Sequence, residues 1–170
     1  MAEGALEPLS STVVFRVDDV AAQSDIPYRV SYSFDGDTAY WSGSIRANPK
    51  AAEEFTLGVF NCDHGELFPQ DTMVRNVGLQ DPDMLFFAGD QIYEEMDKVL
   101  VVREPLAGSR LSYLGKYFQF GLTWRHLLKN RPSVIIPDDH DMFMPNVWGD
   151  VGHGYSMETQ WVNMVQRTQT

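Results

Sequence analysis

An α/β fold with a largely parallel sheet is predicted by three features of this sequence. From Phe55 onward, short apolar runs alternate with segments of helical spacing, which is the pattern of βαβ units. Three of those runs end abruptly in residues of metal-ligand type. Phe55 to Phe60 runs into Asn61-Cys62-Asp63-His64, Asp83 to Ala88 into Gly89-Asp90-Gln91-Ile92-Tyr93, and Val134-Ile135-Ile136-Pro137 into Asp138-Asp139-His140-Asp141. Ahead of them, Ile26 to Phe34 alternates with the period of a half-buried strand and Thr38 to Ile45 resumes as a strand after a turn, so a small all-β region precedes the α/β part. The expected division is 1–50 for the all-β region and 51–170 for the α/β region.

Each element has its own signal. Residues 1–10 read as a loose arm, and Thr12 to Val17 is β-branched and aromatic enough to predict a strand. Ile26, Tyr28, Val30, Tyr32 and Phe34 alternate with mostly polar neighbours, Asp35-Gly36-Asp37 supplies turn chemistry, and Thr38 to Ile45 resumes as a strand. The large residues Tyr28, Tyr32, Tyr40 and Trp41 read as sheet packing. Asn48-Pro49-Lys50 links to the next unit. Asp71 to Leu79 predicts a short helix with Asp71 as N-cap and Gly78 near its end, closed by Asp81-Pro82-Asp83. Residues 97–109 show no clear pattern. A longer helix opens at Ser109 or Ser112 and runs to about Asn130, with Leu114, Phe118, Leu122 and Leu128 as its core stripe and Tyr117 and Trp124 flanking it. Arg131-Pro132 leads to the third apolar strand, a Gly-rich loop follows Asp141, and Trp161 to Thr170 reads as helical, with Trp161, Met164 and Val165 on one side.

Composition narrows the function classes. Hydrophobic content of 44% with 22% charged residues permits a packed core. A net charge of -11, with no basic run to offset it, disfavours a nucleic-acid platform. Anionic substrates would need bound cations to reverse the local field. The single cysteine excludes an intramolecular disulfide. No signal peptide is visible near the start, and no apolar run is long enough for a transmembrane segment. Neither the compartment nor the oligomeric state is set by the sequence.

The chemistry sits at the strand ends, where open α/β sheets bind ligands. Three carboxylates around His140 raise one another's pKa and cost stability, a cost that bound cations offset. Cys62 and His64 stand at i and i+2, on one side of an extended segment; alternatively, Cys62 is a small buried hydrophobe. Gly89 lets the backbone approach a ligand ahead of Asp90, although Asp90 also suits a helix N-cap. Taken together, the three clusters predict a metal site.

Gly-Asp-x-x-Tyr after an apolar strand, followed by Asp-Asp-His-Asp after the next long helix, resembles the alkaline phosphatase D (PhoD-like) family of calcineurin-like metallophosphoesterases. The likeness extends from about Val13 to Trp148 and includes Tyr40-Trp41-Ser42-Gly43-Ser44-Ile45-Arg46, similar to the small fibronectin III-like β-sandwich region ahead of that family's catalytic domain. It implies the front part of a metallophosphoesterase β-sandwich flanked by helices. It further implies that Cys62, Asp90, Tyr93 and Asp139 are metal ligands, with Asp90 bridging two metals and Tyr93 binding ferric iron as the phenolate. His140 is the implied catalytic residue, contacting the phosphoryl group and assisting the leaving oxygen. His64 and Asp63, with Asp138 and Asp141, are further metal ligands or supporting groups. Two or more metal ions are implied, Fe3+ with Ca2+ or with another divalent ion such as Mg2+, Mn2+ or Zn2+. The substrate would be a small-molecule phosphate ester, attacked at phosphorus by a metal-activated hydroxide. Members are commonly exported.

The chain departs from the family in two places. Asn61 replaces the serine before the cysteine, and the superfamily's late Gly-His-x-His is not found; Gly152-His153-Gly154 reads as a loop and His126 as a structural helix residue. The chain is therefore expected to be an N-terminal fragment. The alternatives are a non-catalytic truncated fragment and, more remotely, a cysteine-nucleophile hydrolase using Cys62 with His64 or His140.

Overall fold

The computed structural model describes residues 2–8, 10–20, 23–49, 54–63, 65–93, 102 and 105–142, which form an α/β fold. The expected helix at 161–170, the loop containing His153, and His64 lie outside the described residues. The element order is β1 (Ile26–Phe34), β2 (Asp37–Ile45), β3 (Leu57–Phe60), α1 (Asp71–Leu79), β4 (Met84–Phe87), α2 (Leu106–Leu128) and β5 (Ser133–Ile135).

Strands β1 and β2 form an antiparallel hairpin in which Ile26 faces Ile45 and Phe34 faces Asp37. Its turn residues Asp35 and Gly36 have φ of 49° and 86°. A two-residue I′ turn needs positive φ at both positions, and Asp-Gly supplies them at little cost. The N-terminal all-β region is thus a two-stranded sheet among the described residues rather than a complete sandwich. The predicted strand at Thr12–Val17 does not form; the segment is irregular. β-branched residues alone do not make a strand without a neighbour to pair with.

The second sheet is parallel with order β3-β4-β5, as the alternating pattern predicts, with Val59 beside Phe86 and Phe86 beside Val134. Because the chain advances across the sheet in one direction, right-handed crossovers leave α1 and α2 on one face. That face carries the core: Val74 from α1, Leu85 and Phe87 from β4, and Phe120, Trp124 and Leu127 from α2. Phe87 sits edge-on to Phe120 and Trp124 at centroid distances of 5.1 and 5.0 Å. Each such pair contributes about 0.5–1.5 kcal/mol beyond its area burial. On the other face Leu57, Val59, Val134 and Ile136 are exposed among the described residues.

α1 matches its predicted bounds, but its N-cap is Gln70 and Asp71 is the first helical residue. There the carboxylate still complements the helix dipole. α2 is rotated relative to the expected stripe. Phe118 is 68% exposed, while Ser109, Ser112, Tyr113, Lys116, Gln119, Phe120, Thr123, Trp124 and Leu127 face inward. Half of that inner face is polar because it meets loops as well as the sheet. Lys116 donates to the carbonyl of Tyr93 at 2.8 Å, and Gln119 donates to that of Gly65. None of the described helices is long and apolar enough to cross a membrane.

The hairpin is seated on the C-terminal end of α2, where helix carbonyls lack intrahelical partners. The Lys129 carbonyl accepts from the Tyr28 hydroxyl at 3.0 Å and from the Ser44 N–H at 3.1 Å. Arg46 of the hairpin side also pairs with Asp81 and Asp83, and Arg131 joins Asp81. Arg46, Asp81, Asp83 and Arg131 line a cavity of about 790 Å³ at the N-terminal ends of the parallel strands, opposite the loops that leave their C-terminal ends. Its two guanidinium groups are already paired with carboxylates.

Candidate metal centre

The site is built at the C-terminal ends of β3, β4 and β5, and backbone pairing carries past the strands to hold it. The Ala88 N–H donates to the Phe60 carbonyl at 2.7 Å, Cys62 to Gly89 at 3.2 Å, and Asp63 to Asp90 at 2.9 Å. On the other side Ile136 donates to Phe87 at 3.0 Å, and the Gln91 side chain donates to the Ile136 carbonyl at 3.1 Å. Cys62 and Asp90 both adopt left-handed backbone, with φ of 53° and 55°.

Asp90 stands at the centre and is 6% exposed. One carboxylate oxygen, Oδ2, accepts from the Cys62 thiol at 3.6 Å and from the Tyr93 hydroxyl at 3.3 Å. The other, Oδ1, accepts from the His140 backbone N–H at 3.3 Å. Ligand atoms of Asp90, Asp139 and His140 all lie within 4.8 Å of one another. Two carboxylates and an imidazole at that spacing fit a divalent cation, and the donor chemistry suits several metals. The Tyr93 ring packs against His140 with centroids 4.2 Å apart.

Burial, then a hydrogen bond with Cys62 and the charge of Asp90, pushes the Tyr93 phenol well above its ordinary value. In the absence of a cation Tyr93 is therefore a neutral donor, and Asp90 is its acceptor.

The remaining candidates divide clearly. Cys62 is exposed, which rules out its alternative as a buried hydrophobe. Its thiol contacts the carboxylate of Asp90. The N-cap alternative for Asp90 is not realised, since residues 91–93 are not helical. Asp63 turns away from the cluster: Oδ1 accepts from Gln70 at 2.7 Å and Oδ2 from the Trp124 indole at 2.6 Å. Asp138 is exposed and accepts from the Asp139 N–H at 2.8 Å. Asp141 is fully buried, at 0% exposure. Its Oδ2 accepts from the N–H groups of Asp90 at 2.7 Å and Asp138 at 2.9 Å, and its Oδ1 from Gln91 at 3.0 Å and Ile92 at 3.2 Å. His126 lies exposed in the last turn of α2, outside the cluster.

Magnitudes explain why the left-handed Asp90 is tolerated. That conformation costs roughly 1–2 kcal/mol, whereas one hydrogen bond to a charged group contributes about 1.5–3 kcal/mol. The supporting roles of Trp124, Gln70 and Lys116 were not foreseen from the sequence. Helical spacing marks Trp124 as near the core, but no local signal says that its indole serves a loop on another element.

No family model and no curated protein matches the chain. A solved structure of PhoD shares the fold, with a TM-score of 0.58 at 15% sequence identity. The likeness covers 97% of this chain, which spans 35% of the length of that PhoD chain.

Proposed function

We propose that this chain carries the metal-binding part of a phosphate-ester hydrolase resembling alkaline phosphatase D. The observation that supports it most directly is the two-sided contact of Asp90. Cys62 and Tyr93 meet one carboxylate oxygen, while the His140 backbone meets the other and the Asp139 and His140 ligand atoms lie nearby. A carboxylate so placed is suited to bridge two cations. Asp139 and His140 would serve one of them and Cys62 and Tyr93 the other, with ferric iron suited to the phenolate and calcium or another divalent ion to the carboxylates.

Bound cations would offset the charge of the phosphoryl oxygens and acidify a water. The protein's own residues do the rest. Asp90 and Asp139 fix the donor geometry. An imidazole has two ring nitrogens on different sides, so one nitrogen of His140 could hold a cation while the other N–H would be available to the phosphoryl or leaving oxygen. Proton donation of that kind contributes roughly 10²–10⁴-fold in rate.

The test is metal content followed by hydrolysis of p-nitrophenyl phosphate and bis-p-nitrophenyl phosphate by the metal-loaded chain. Asp90→Asn is expected to lower bound metal and any activity together; unchanged values for both count against the bridging role. An iron-loaded protein is expected to show a phenolate charge-transfer colour that Tyr93→Phe abolishes. Persistence of that band in the variant would remove Tyr93 from the ligand set.

A further inference from the structure

Among the described residues Asp141 is not part of the Asp90–Asp139–His140 group, yet it is the most thoroughly buried carboxylate at the site. Its two oxygens collect four backbone N–H groups from two separate loops. Three belong to consecutive residues after β4, namely Asp90, Gln91 and Ile92, and the fourth belongs to Asp138 after β5. The first of these residues is the one held at φ 55°. A run of N–H groups converging on one anion forms a concave nest, which ordinarily binds a ligand's oxygens. Here the protein fills the nest with its own side chain.

The same loops are in close contact next door. A Cβ placed on Gly89 would stand 2.5 Å from the Cβ of Asp138, so the loops meet with no room for a side chain between them. Asp90 and the pair Asp139–His140 therefore come from two chain segments, and the Asp141 carboxylate is the group that gathers the most hydrogen bonds between them, beside the single bonds from Gln91 to Ile136 and from His140 to Asp90. Without the carboxylate, three buried N–H groups and the partly buried one of Asp138 would lose this acceptor, and separation of the loops would be the way to rehydrate them.

We infer that Asp141 is a positioning residue that preassembles the Asp90–Asp139–His140 set before any cation binds, by clamping the β4 and β5 exit loops through their backbone. The inference rests on the metal reading of that set. Asp141→Asn keeps the size of the side chain but replaces one acceptor oxygen with an NH2 donor that faces N–H groups. Supporting residues of this kind typically change metal affinity by about 10–100-fold.

The experiment uses the full chain with Co2+ alone as the probe, titrated by calorimetry and by its visible spectrum. Asp141→Asn is expected to weaken Co2+ binding by about 10–100-fold and to alter the spectrum of the bound ion. Val74→Ala, a cavity variant in the core that removes none of the hydrogen bonds to Asp141, is the control for general destabilisation and should leave both within about twofold. If Asp141→Asn binds Co2+ as tightly as the parent, or loses no more than the core variant, the clamp is overturned. A second measurement needs no variant. In the metal-free parent, the Gln91 and Ile92 amides should exchange with solvent deuterium far more slowly than unstructured amides. Exchange at the unstructured rate would overturn preassembly even if Asp141→Asn does not fold. Failure of the parent itself to bind Co2+ would refute the metal reading, while slow exchange would still identify the clamp.

Discussion

Gly89 and Asp138 touch backbone to side chain across the two loops: a Cβ on Gly89 would lie 2.5 Å from the Asp138 Cβ and 3.1 Å from its backbone nitrogen. Gly89 also has φ of 111°, a conformation that L side chains rarely adopt. Both constraints act at the residue before Asp90, the centre of the candidate cluster. Gly89→Ala is therefore expected to cost about 2–4 kcal/mol, from backbone strain plus overpacking. Urea unfolding of the variant checks this, and an unchanged midpoint would show that the two loops are not as tightly apposed as described.

Asp63 is expected to act through Trp124 rather than through a metal. The indole N–H donates to its Oδ2 at 2.6 Å, and Gln70 donates to the other oxygen at 2.7 Å. A double-mutant cycle of Asp63→Ala and Trp124→Phe should give a coupling of roughly 1–3 kcal/mol in unfolding free energy. Co2+ affinity is the second readout: it should fall less in Asp63→Ala than in Asp90→Asn. Additive stability effects, or equal losses of metal, would return Asp63 to the list of ligands.

The sequence revealed the elements better than their faces. The alternation at Ile26–Phe34, the Asp35-Gly36 turn and the helix at Asp71–Leu79 are local signals that survive in the fold, whereas the β-branched run Thr12–Val17 stays irregular. The placement of the carboxylates was legible too, since an apolar run that stops at Asp90 or Asp138 fixes where the carboxylate emerges. The inner face of α2 was not legible because Lys116 and Gln119 face inward to serve the carbonyls of Tyr93 and Gly65. Hydropathy alone assigns such residues to solvent and sends Phe118 inward instead. Asp141 was equally hidden. Three carboxylates in one motif look alike in sequence, and only the positions of backbone N–H groups separate the buried acceptor from the candidate ligand.

Gly43 is where the hairpin meets α2, and close approach rather than turn geometry explains it. A Cβ there would fall 2.1 Å from the Lys129 carbonyl oxygen, itself the acceptor for Tyr28 and Ser44. The obstacle is backbone and cannot rotate away. Gly43→Ala should therefore displace the hairpin from the helix end, costing about 1–3 kcal/mol. Quenching of Trp41 fluorescence by iodide reports the change, because Trp41 lies on β2 beside Lys129, whose ammonium is 5.2 Å from the indole centroid. Gly43→Ala with parental quenching and stability would mean that the hairpin does not depend on this contact.

Asp81 gives the acid dependence of the same junction. A hydrogen bond from Arg46, reinforced by Arg131, holds its carboxyl below the ordinary value of 3.8 despite an opposing effect of desolvation. Its folded pKa is thus depressed, so the unfolded chain binds the proton more readily. The stabilisation is present above 3.8 and is lost as pH falls through 3.8 to the lower folded value. Because Asp81 is well exposed, solvent and salt screen the effect, and it should shrink further at high ionic strength. Asp81→Asn should accordingly flatten the acid limb of a stability–pH curve measured by urea unfolding at low salt, with little change in its slope near neutrality. A variant whose acid limb matches the parent's would show that the Arg46 and Arg131 contacts to Asp81 do not persist in solution.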